Sequence, residues 1–170
     1  RLNAGYVFSR IKLLGQGGQG KTWLYQELDA GGNFTRFVAG KEISIGYDID
    51  IIDELDTKIK RERDILQHMR THRKLSISMV EDIIEDSTYY MFMDYANGGS
   101  LDKIGRTLNE QEIHRILNKL LEGLTILNQK LIVHRDLNQA NVLLHFPELE
   151  SLDDMAMIEE RRAVLLEDLT

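Results

Sequence analysis

The stretch LGQGGQGKTWL, residues 14–24, fits two phosphate-binding patterns that belong to different folds. One pattern is the P-loop, in which a Gly-Lys-Thr run such as residues 20–22 opens a helix whose first backbone amides face the phosphates. The other is a glycine-rich hairpin, in which glycines with the spacing of Gly15, Gly17 and Gly20 allow two strands to close over a nucleotide. The residues that follow this stretch therefore decide the fold.

Residues 22–27 alternate between two sets of side chains with a period of two, which is typical of a β-strand. The turn signal DAGGN follows at residues 29–33, and residues 37–43 predict a second strand. This order predicts a strand, a loop and a strand, and not the helix that a P-loop needs. Lys21 is then interpreted as a solvent-facing loop residue.

Lys41 falls on the apolar face of the second predicted strand, together with Phe37, Ala39 and Ile43. The next segment, residues 50–70, has the spacing of an amphipathic helix, and Glu62 falls on its apolar stripe, which consists of Ile51, Leu55, Ile59, Leu66 and Met69. Because a charge on an apolar face is costly unless it meets an opposite charge, the two positions suggest that the side chains pair, although this pattern by itself does not favour pairing over the simpler interpretation that follows. The alternative is a glutamate at the edge of the stripe that reaches water.

The composition is that of a globular domain, with 170 residues, of which 42% are hydrophobic and 29% charged. The net charge of -7 and a pI near 5.2 argue against broad binding to nucleic acid or anionic membranes. No apolar run approaches the roughly 20 residues of a membrane span, and the absence of cysteine excludes disulfides and Cys-ligated zinc. We expect an intracellular, cytoplasmic protein, and the first residue, Arg1, suggests a piece of a longer chain.

Further along, residues 89–93 (YYMFM) predict a buried strand, and the turn-rich residues 96–100 follow it. Asn109 and Glu112 have the spacing of a capping box. They open a predicted helix with a regular apolar stripe, formed by Ile113, Ile116, Leu117, Leu120, Leu121, Leu124 and Leu127. The polar segment HRDLNQAN, residues 134–141, comes after this helix.

Taken in order, these segments resemble the motifs of the protein kinase family. Residues 14–24 resemble its glycine-rich loop, residues 38–41 (VAGK) its phosphate-binding lysine motif, and residues 93–101 (MDYANGGSL) its gatekeeper and hinge. Glu62 matches the helix glutamate that pairs with the lysine, and residues 134–141 resemble the catalytic loop. The resemblance covers nearly all of the chain, and the order and spacing of the motifs make it specific.

The resemblance implies an α+β, kinase-like fold, with an antiparallel N-lobe sheet and its helix C followed by a partial, mainly helical C-lobe. Residues 1–95 would form the N-lobe, and residues 96–170 the hinge and the start of the C-lobe. Residues 147–162 would be a largely solvated insert, and the chain would stop at the position of the family's Asp-Phe-Gly motif.

The resemblance also implies ATP and Mg²⁺ as cofactors and a protein as substrate. Lys41 would hold the α and β phosphates, Glu62 would orient Lys41, and the glycine loop would approach the phosphates through its backbone amides. Adenine would lie between apolar side chains and bond to the main chain of the hinge. The implied nucleotide-binding residues are Leu14, Gly15, Gly17, Gly20, Thr22, Ala39, Lys41, Asp94, Ala96 and Leu143.

In the catalytic loop, the resemblance makes Asp136 the residue that accepts or orients the proton of the substrate hydroxyl. Asn141 would bind magnesium through its side-chain oxygen, which suits a hard cation. His134 would be a packed structural residue. Asn138 stands where Ser/Thr kinases usually have a lysine, and the loss of that cation predicts slower chemistry.

The second magnesium contact belongs to the Asp-Phe-Gly motif, which this chain lacks. Asp168 and Asp154 are the two candidates. Asp168 is favoured, because it follows residues 163–166 (AVLL), which predict a short strand. Ser151 and Asp154 instead have capping-box spacing ahead of a helix over residues 155–162.

The sequence therefore predicts that the parent protein is a protein kinase, with Ser/Thr specificity favoured over Tyr. The 170-residue chain alone is predicted not to phosphorylate peptides. The alternative is a pseudokinase that serves as a nucleotide-binding or scaffolding module, and the P-loop hydrolase is the third and weakest interpretation.

Overall fold

The computed structural model describes residues 5–18, 20–45, 49–72 and 75–169, and the side chains of residues 49–56 and 58 lie outside the description. The chain divides into two compact units, Arg1–Tyr95 and Ala96–Thr170. This division falls between the same two residues as the expected domain boundary. The predicted helix side chains Ile51 and Leu55 lie outside the described residues.

The first unit is built on one antiparallel sheet of five strands in the order β1-β2-β3-β5-β4. One helix, α1, Ile49–His68, connects β3 to β4 and is followed by a short 3-10 helix, Arg70–His72. The strands are β1 Val7–Gly17, β2 Gly20–Leu28, β3 Phe34–Ser44, β4 Met79–Glu85 and β5 Thr88–Asp94. The sequence analysis identified the strands on either side of residues 29–33 and the strand at residues 89–93, but it did not identify β4.

Strands β1 and β2 form the predicted hairpin, and no helix follows Thr22. Gly15 pairs with Thr22 and Gly17 with Gly20 across the hairpin. Gly20 has a φ of 151°, and a Cβ there would lie 2.1 Å from the backbone oxygen of Glu42 on the neighbouring strand. Because Thr22 lies within a strand, the P-loop interpretation is wrong.

The sheet has two differently packed faces. One face carries the aliphatic cluster that α1 covers through Ile59, and this cluster also contains Ile43, Met79, Tyr89 and Met91. The other face carries an aromatic layer of Phe8, Trp23, Tyr25, Tyr90 and Phe92. In this layer the rings of Phe8 and Phe92 are stacked with centroids 3.9 Å apart, and Tyr25 meets Phe92 edge-on.

The second unit contains the long helix α2, Glu110–Gln129, with the predicted capping box of Asn109 and Glu112 at its start. A two-stranded ladder joins β6, Gly99–Ser100, to β7, Leu143–Leu144. The last helix is α3, Met155–Leu165. Short 3-10 helices lie at Leu101–Lys103, Gln139–Asn141 and Pro147–Leu149. The fold class is α+β, as predicted.

The apolar stripe of α2 is less buried than its regular spacing suggested. Ile113, Leu117 and Leu121 are 44%, 50% and 60% exposed. Spacing shows that a helix has an apolar face, but it does not show that anything covers that face.

The predicted strand at residues 163–166 is wrong, because α3 continues through Leu165. Alanine and leucine are strong helix formers, and a short apolar run does not distinguish a strand from the end of a helix. Asp154 is the N-cap of α3, as its sequence position indicated, although Ser151 is not the cap. Most of residues 147–162 are exposed, as expected, but Leu149 and Ile158 are buried, at 2% and 1% exposure.

Candidate functional site

Lys41 and Glu62 form a direct ion pair in the first unit. The ammonium Nζ of Lys41 lies 2.7 and 2.9 Å from the two carboxylate oxygens of Glu62. Lys41 lies opposite Thr22 and Met91 on the neighbouring strands, on the face of the sheet that α1 covers. Glu62 comes three residues after the buried Ile59, so it turns toward the same face. The side chains are 17% and 38% exposed, which places the pair at the edge of the apolar layer and within reach of solvent.

The neighbouring carboxylate on β3, Glu42, has different partners. It points to the opposite face of the strand, where the hydroxyl of Tyr25 donates a short hydrogen bond to it and Arg10 lies 2.6 Å away. Burial, followed by this hydrogen bond to Glu42, raises the pKa of Tyr25. Strand alternation thus directs Lys41 away from the adjacent Glu42 and toward Glu62. The sequence analysis missed this second cluster.

Packing within the protein explains the absence of a side chain at only some of the glycines of the β1–β2 hairpin. A Cβ at Gly20 would meet the backbone of Glu42, but a Cβ at Gly15, Gly17 or Gly18 would have no other atom within 4 Å. The packing of the described residues therefore does not explain why Gly15 and Gly17 lack side chains. A ligand that approaches the backbone closely would explain it.

The predicted hinge strand ends at Asp94, whose side chain lies close to Ser78 and Arg36, residues that the sequence analysis did not single out. The Ser78 hydroxyl donates to the Asp94 carboxylate at 2.5 Å, and the Asp94 amide donates to the Ser78 carbonyl at 3.0 Å. Arg36 lies 4.0 Å from the other carboxylate oxygen. Ser78 is completely buried. A serine within the apolar run at residues 77–80 was the available signal.

The other predicted nucleotide-binding residues are distributed over both units. In the first unit, Leu14 and Thr22 are half-buried on β1 and β2, and Ala39 is buried on β3. In the second unit, Ala96 accepts a hydrogen bond from the amide of Gly99 at 3.3 Å, and Leu143 is 45% exposed on β7.

In the second unit, Asp136 has hydrogen bonds to both of its carboxylate oxygens. The side-chain amide of Asn138 donates to Oδ1 at 2.8 Å, and that of Asn141 donates to Oδ2 at 2.8 Å. Asn141 also donates to the backbone oxygen of Asp136 at 2.8 Å. Arg135 has a φ of 66°, an uncommon conformation for a residue other than glycine. His134 is exposed, so its prediction as a packed residue is wrong.

The two candidates for the missing magnesium aspartate differ in what their carboxylates do. The Asp154 carboxylate accepts hydrogen bonds from the amides of Ala156 and Met157 at 2.7 and 3.4 Å. Asp168 is exposed and does not follow a strand, which removes the reason for which the sequence analysis favoured it. Asp168 lies next to Leu169, whose amide donates to the buried Glu112 at 3.0 Å.

Glu112 organises the backbone around Asp168. Arg106 donates to both Glu112 oxygens at 2.5 and 3.0 Å, and also to the carbonyl of Leu166 at 2.7 Å. Arg106 first, and then the amides of Leu169 and Asn109, lower the pKa of Glu112 to about 2. Glu112 therefore connects the start of α2 to the segment after α3.

Within the described residues, no group of three or more His, Cys, Asp or Glu side chains is arranged to hold a metal ion. An octahedral magnesium site needs only one or two protein carboxylates besides water and phosphate oxygens, and an asparagine oxygen suits the same ion. Asp136 and Asn141 have donor atoms of this type. Among the described helices, none is both long enough and apolar enough to cross a membrane.

Comparison with known proteins finds that the sequence profile of the protein kinase domain matches residues 8–154. MAP kinase kinase kinase mkh1 of Schizosaccharomyces pombe is 27% identical over 167 residues, which are 91% of this chain and 14% of that protein. Serine/threonine-protein kinase shk1/pak1 of the same species is 30% identical over 144 residues, which are 84% of this chain and 20% of that protein. Inactive serine/threonine-protein kinase PLK5 of Mus musculus is 28% identical over 145 residues, which are 84% of this chain and 23% of that protein. The chain thus spans less than a quarter of the length of each of these three relatives.

Proposed function

Because the chain belongs to the protein kinase family, we propose that its parent protein transfers the γ-phosphoryl group of ATP to Ser or Thr hydroxyls of protein substrates. The observation that carries the proposal is the Lys41–Glu62 ion pair, at 2.7 Å. An ammonium held by a carboxylate at the edge of an apolar layer is a fixed cation that two phosphate groups can share.

In the first unit, the proposal assigns the nucleotide to three features. Lys41 holds the α and β phosphates, and Glu62 keeps Lys41 oriented. The open backbone at Gly15 and Gly17 gives the phosphates access to peptide amides. The main chain near Asp94, which Ser78 holds in place, is assigned to adenine.

In the second unit, the proposal assigns the chemical step to Asp136. Its carboxylate accepts or orients the proton of the substrate hydroxyl while Asn138 and Asn141 hold both of its oxygens. Magnesium, when bound with ATP, neutralises charge on the phosphates. Asn141 supplies one magnesium contact, and Asp168 is the candidate for a second, because the Asp154 carboxylate caps α3.

A pseudokinase that binds nucleotide without transferring phosphate is the second candidate function. Two observations favour it, namely the absence of an Asp-Phe-Gly motif and the helix α3 where the strand before that motif was expected. The similarity to a protein named as an inactive kinase is compatible with it. The retained set of Lys41, Glu62, Asp136 and Asn141 favours an active parent protein.

Two matched lysine variants test the proposal. Lys41→Met removes the ammonium that pairs with Glu62, and Lys21→Met removes an exposed ammonium in the hairpin. We expect Lys41→Met to abolish phosphoryl transfer by the full-length protein and to weaken Mg·ATP binding by the chain, measured by calorimetry. Lys21→Met is expected to leave both unchanged.

The outcomes separate the two candidate functions. Equal phosphoryl transfer by Lys41→Met and the wild type would remove the support for a kinase mechanism at this site. Binding of Mg·ATP that depends on Lys41, without phosphoryl transfer by the full-length wild type, would identify a pseudokinase. Loss of nucleotide binding in Lys21→Met, with normal binding in Lys41→Met, would contradict the assignment of the phosphates to Lys41.

A further inference from the structure

The side chain of Asn138 makes several specific contacts, so its role is more than the absence of a positive charge at this position. Its Nδ2 donates to Oδ1 of Asp136 at 2.8 Å. Its Oδ1 accepts from the backbone amides of Ala140 and Asn141 at 3.0 and 3.2 Å. The same side chain therefore caps the 3-10 helix Gln139–Asn141 and holds the carboxylate that precedes it.

Only a side chain with both a donor and an acceptor makes this set of contacts. A lysine has three donors and no acceptor, so it cannot receive the amides of Ala140 and Asn141. An aspartate can receive these amides but cannot donate to Asp136. An asparagine does both, and a short polar side chain of this kind is favoured at such caps.

We propose that Asn138 is a positioning residue for the phosphoryl-transfer reaction, which fixes the carboxylate of Asp136 and the turn that carries Asn141 through one side-chain amide. The proposal rests on the proposed function, in which Asp136 receives the substrate proton. It replaces the interpretation of Asn138 as a simple loss. The site has no cation at this position, but its acceptor carboxylate is oriented before the substrate binds.

Orientation matters because the carboxylate is exposed. Asp136 lies in a loop with solvent access, where its side chain would otherwise sample several rotamers. Hydrogen bonds from Asn138 and Asn141 to different oxygens restrict rotation of the carboxylate. Holding a reacting group in the productive geometry lowers the barrier, and a misplacement of about 1 Å can cost roughly 100-fold in rate.

Three substitutions of Asn138 separate the two halves of this role. Asn138→Asp keeps the acceptor and loses the donor, Asn138→Lys keeps a donor and loses the acceptor, and Asn138→Ala loses both. Asn118→Lys, at an exposed position on α2, is the control for the added charge. Amide-proton exchange of Ala140 and Asn141 in the chain, measured by NMR, reports the cap. The kinetic constants of the full-length protein report the positioning of Asp136.

We expect Asn138→Ala and Asn138→Lys to speed exchange of the Ala140 amide by about fivefold, the size of a typical N-cap effect, and Asn138→Asp to leave it near the wild-type rate. All three are expected to lower kcat by roughly 10- to 100-fold, with the KM for ATP unchanged. If Asn138 only stabilised the turn, Asn138→Asp, which keeps the cap, would keep both the wild-type exchange rate and the wild-type kcat. Asn118→Lys is expected to behave as wild type.

Two results would overturn the proposal, and a third applies if the wild-type protein is inactive. One is wild-type or higher kcat in Asn138→Lys, which would mean that a cation serves better here than the amide. The other is an unchanged Ala140 exchange rate in Asn138→Ala. If the wild-type protein transfers no phosphoryl group, the proposed function fails and the kinetic part of the proposal fails with it. The exchange rates, together with Asp136→Ala, then decide whether Asn138 holds the turn and the Asp136 carboxylate. That variant should speed exchange of the Asn138 side-chain amide protons, and unchanged exchange would end the proposal.

Discussion

At the scale of single residues, Glu112 shows how one buried carboxylate organises distant parts of the chain. It completes the capping box with Asn109 and accepts hydrogen bonds from two guanidinium nitrogens of Arg106. It also accepts a hydrogen bond from the amide of Leu169, 57 residues later. A buried charge is tolerated only when its lone pairs are satisfied in this way. The capping box was predicted, but the other two partners were not.

We predict that Glu112→Gln destabilises the chain in a pH-dependent way. Because the pKa of Glu112 falls from 4.5 to about 2 on folding, its ionised form contributes stability above about pH 4.5. That contribution is lost as the pH falls toward 2. The variant should therefore be less stable than the wild type at pH 7, and the difference should shrink steadily between pH 4.5 and pH 2.

The measurement is urea unfolding followed by circular dichroism at several pH values. The matched control is Glu110→Gln, which removes the same charge from an exposed position in the first turn of α2. A Glu112→Gln deficit that stays constant from pH 7 to pH 2 would contradict the role of ionisation.

At the scale of elements, the strand β3 carries a different requirement on each face. Toward α1 it presents Lys41, and toward the aromatic layer it presents Gly40. A Cβ on Gly40 would lie 2.5 Å from the Tyr25 ring and 3.0 Å from the Phe92 ring. The glycine beside Lys41 therefore makes room for two aromatic rings.

We predict that Gly40→Val lowers the free energy of unfolding by about 1–3 kcal/mol, because the added carbons force the rings of the aromatic layer apart. Trp23, the single tryptophan of the chain, lies opposite Gly40 in the ladder, so its fluorescence reports the change. Gly18→Ala is the control, because a Cβ there has no neighbour within 4 Å. Equal stability of Gly40→Val and the wild type would show that the aromatic layer is not tightly packed at this point.

At the scale of the whole molecule, nucleotide binding should be visible as a change in stability. A ligand that binds only the folded state at 100 times its Kd adds about 2.7 kcal/mol to the free energy of unfolding. We predict that Mg·ATP raises the melting temperature of the chain and that the increase depends on magnesium and on Lys41. Differential scanning calorimetry with ATP plus EDTA, and with Lys41→Met, provides the controls. No shift with Mg·ATP in the wild type would argue for a scaffold that does not bind nucleotide.

Several features followed from the sequence because they depend on neighbours in the chain. The hairpin after Gly20 follows from a period of two, and the start of α2 follows from the spacing of Asn109 and Glu112. The Lys41–Glu62 contact could also be inferred from the sequence. Each partner occupied a costly position on its own element, and the pairing removes both costs.

The tertiary structure decided the features that depend on residues far apart in the chain or on competition between similar local states. It extended α3 over residues that also suit a strand, since helix propensity and a capped N-terminus outweighed a short apolar run. It buried Ser78 against Asp94 and joined Glu112 to Leu169. Local periodicity tells which side of an element is apolar, but a hydrogen bond across many residues exists only once the folded backbone has brought donor and acceptor within about 3 Å of each other.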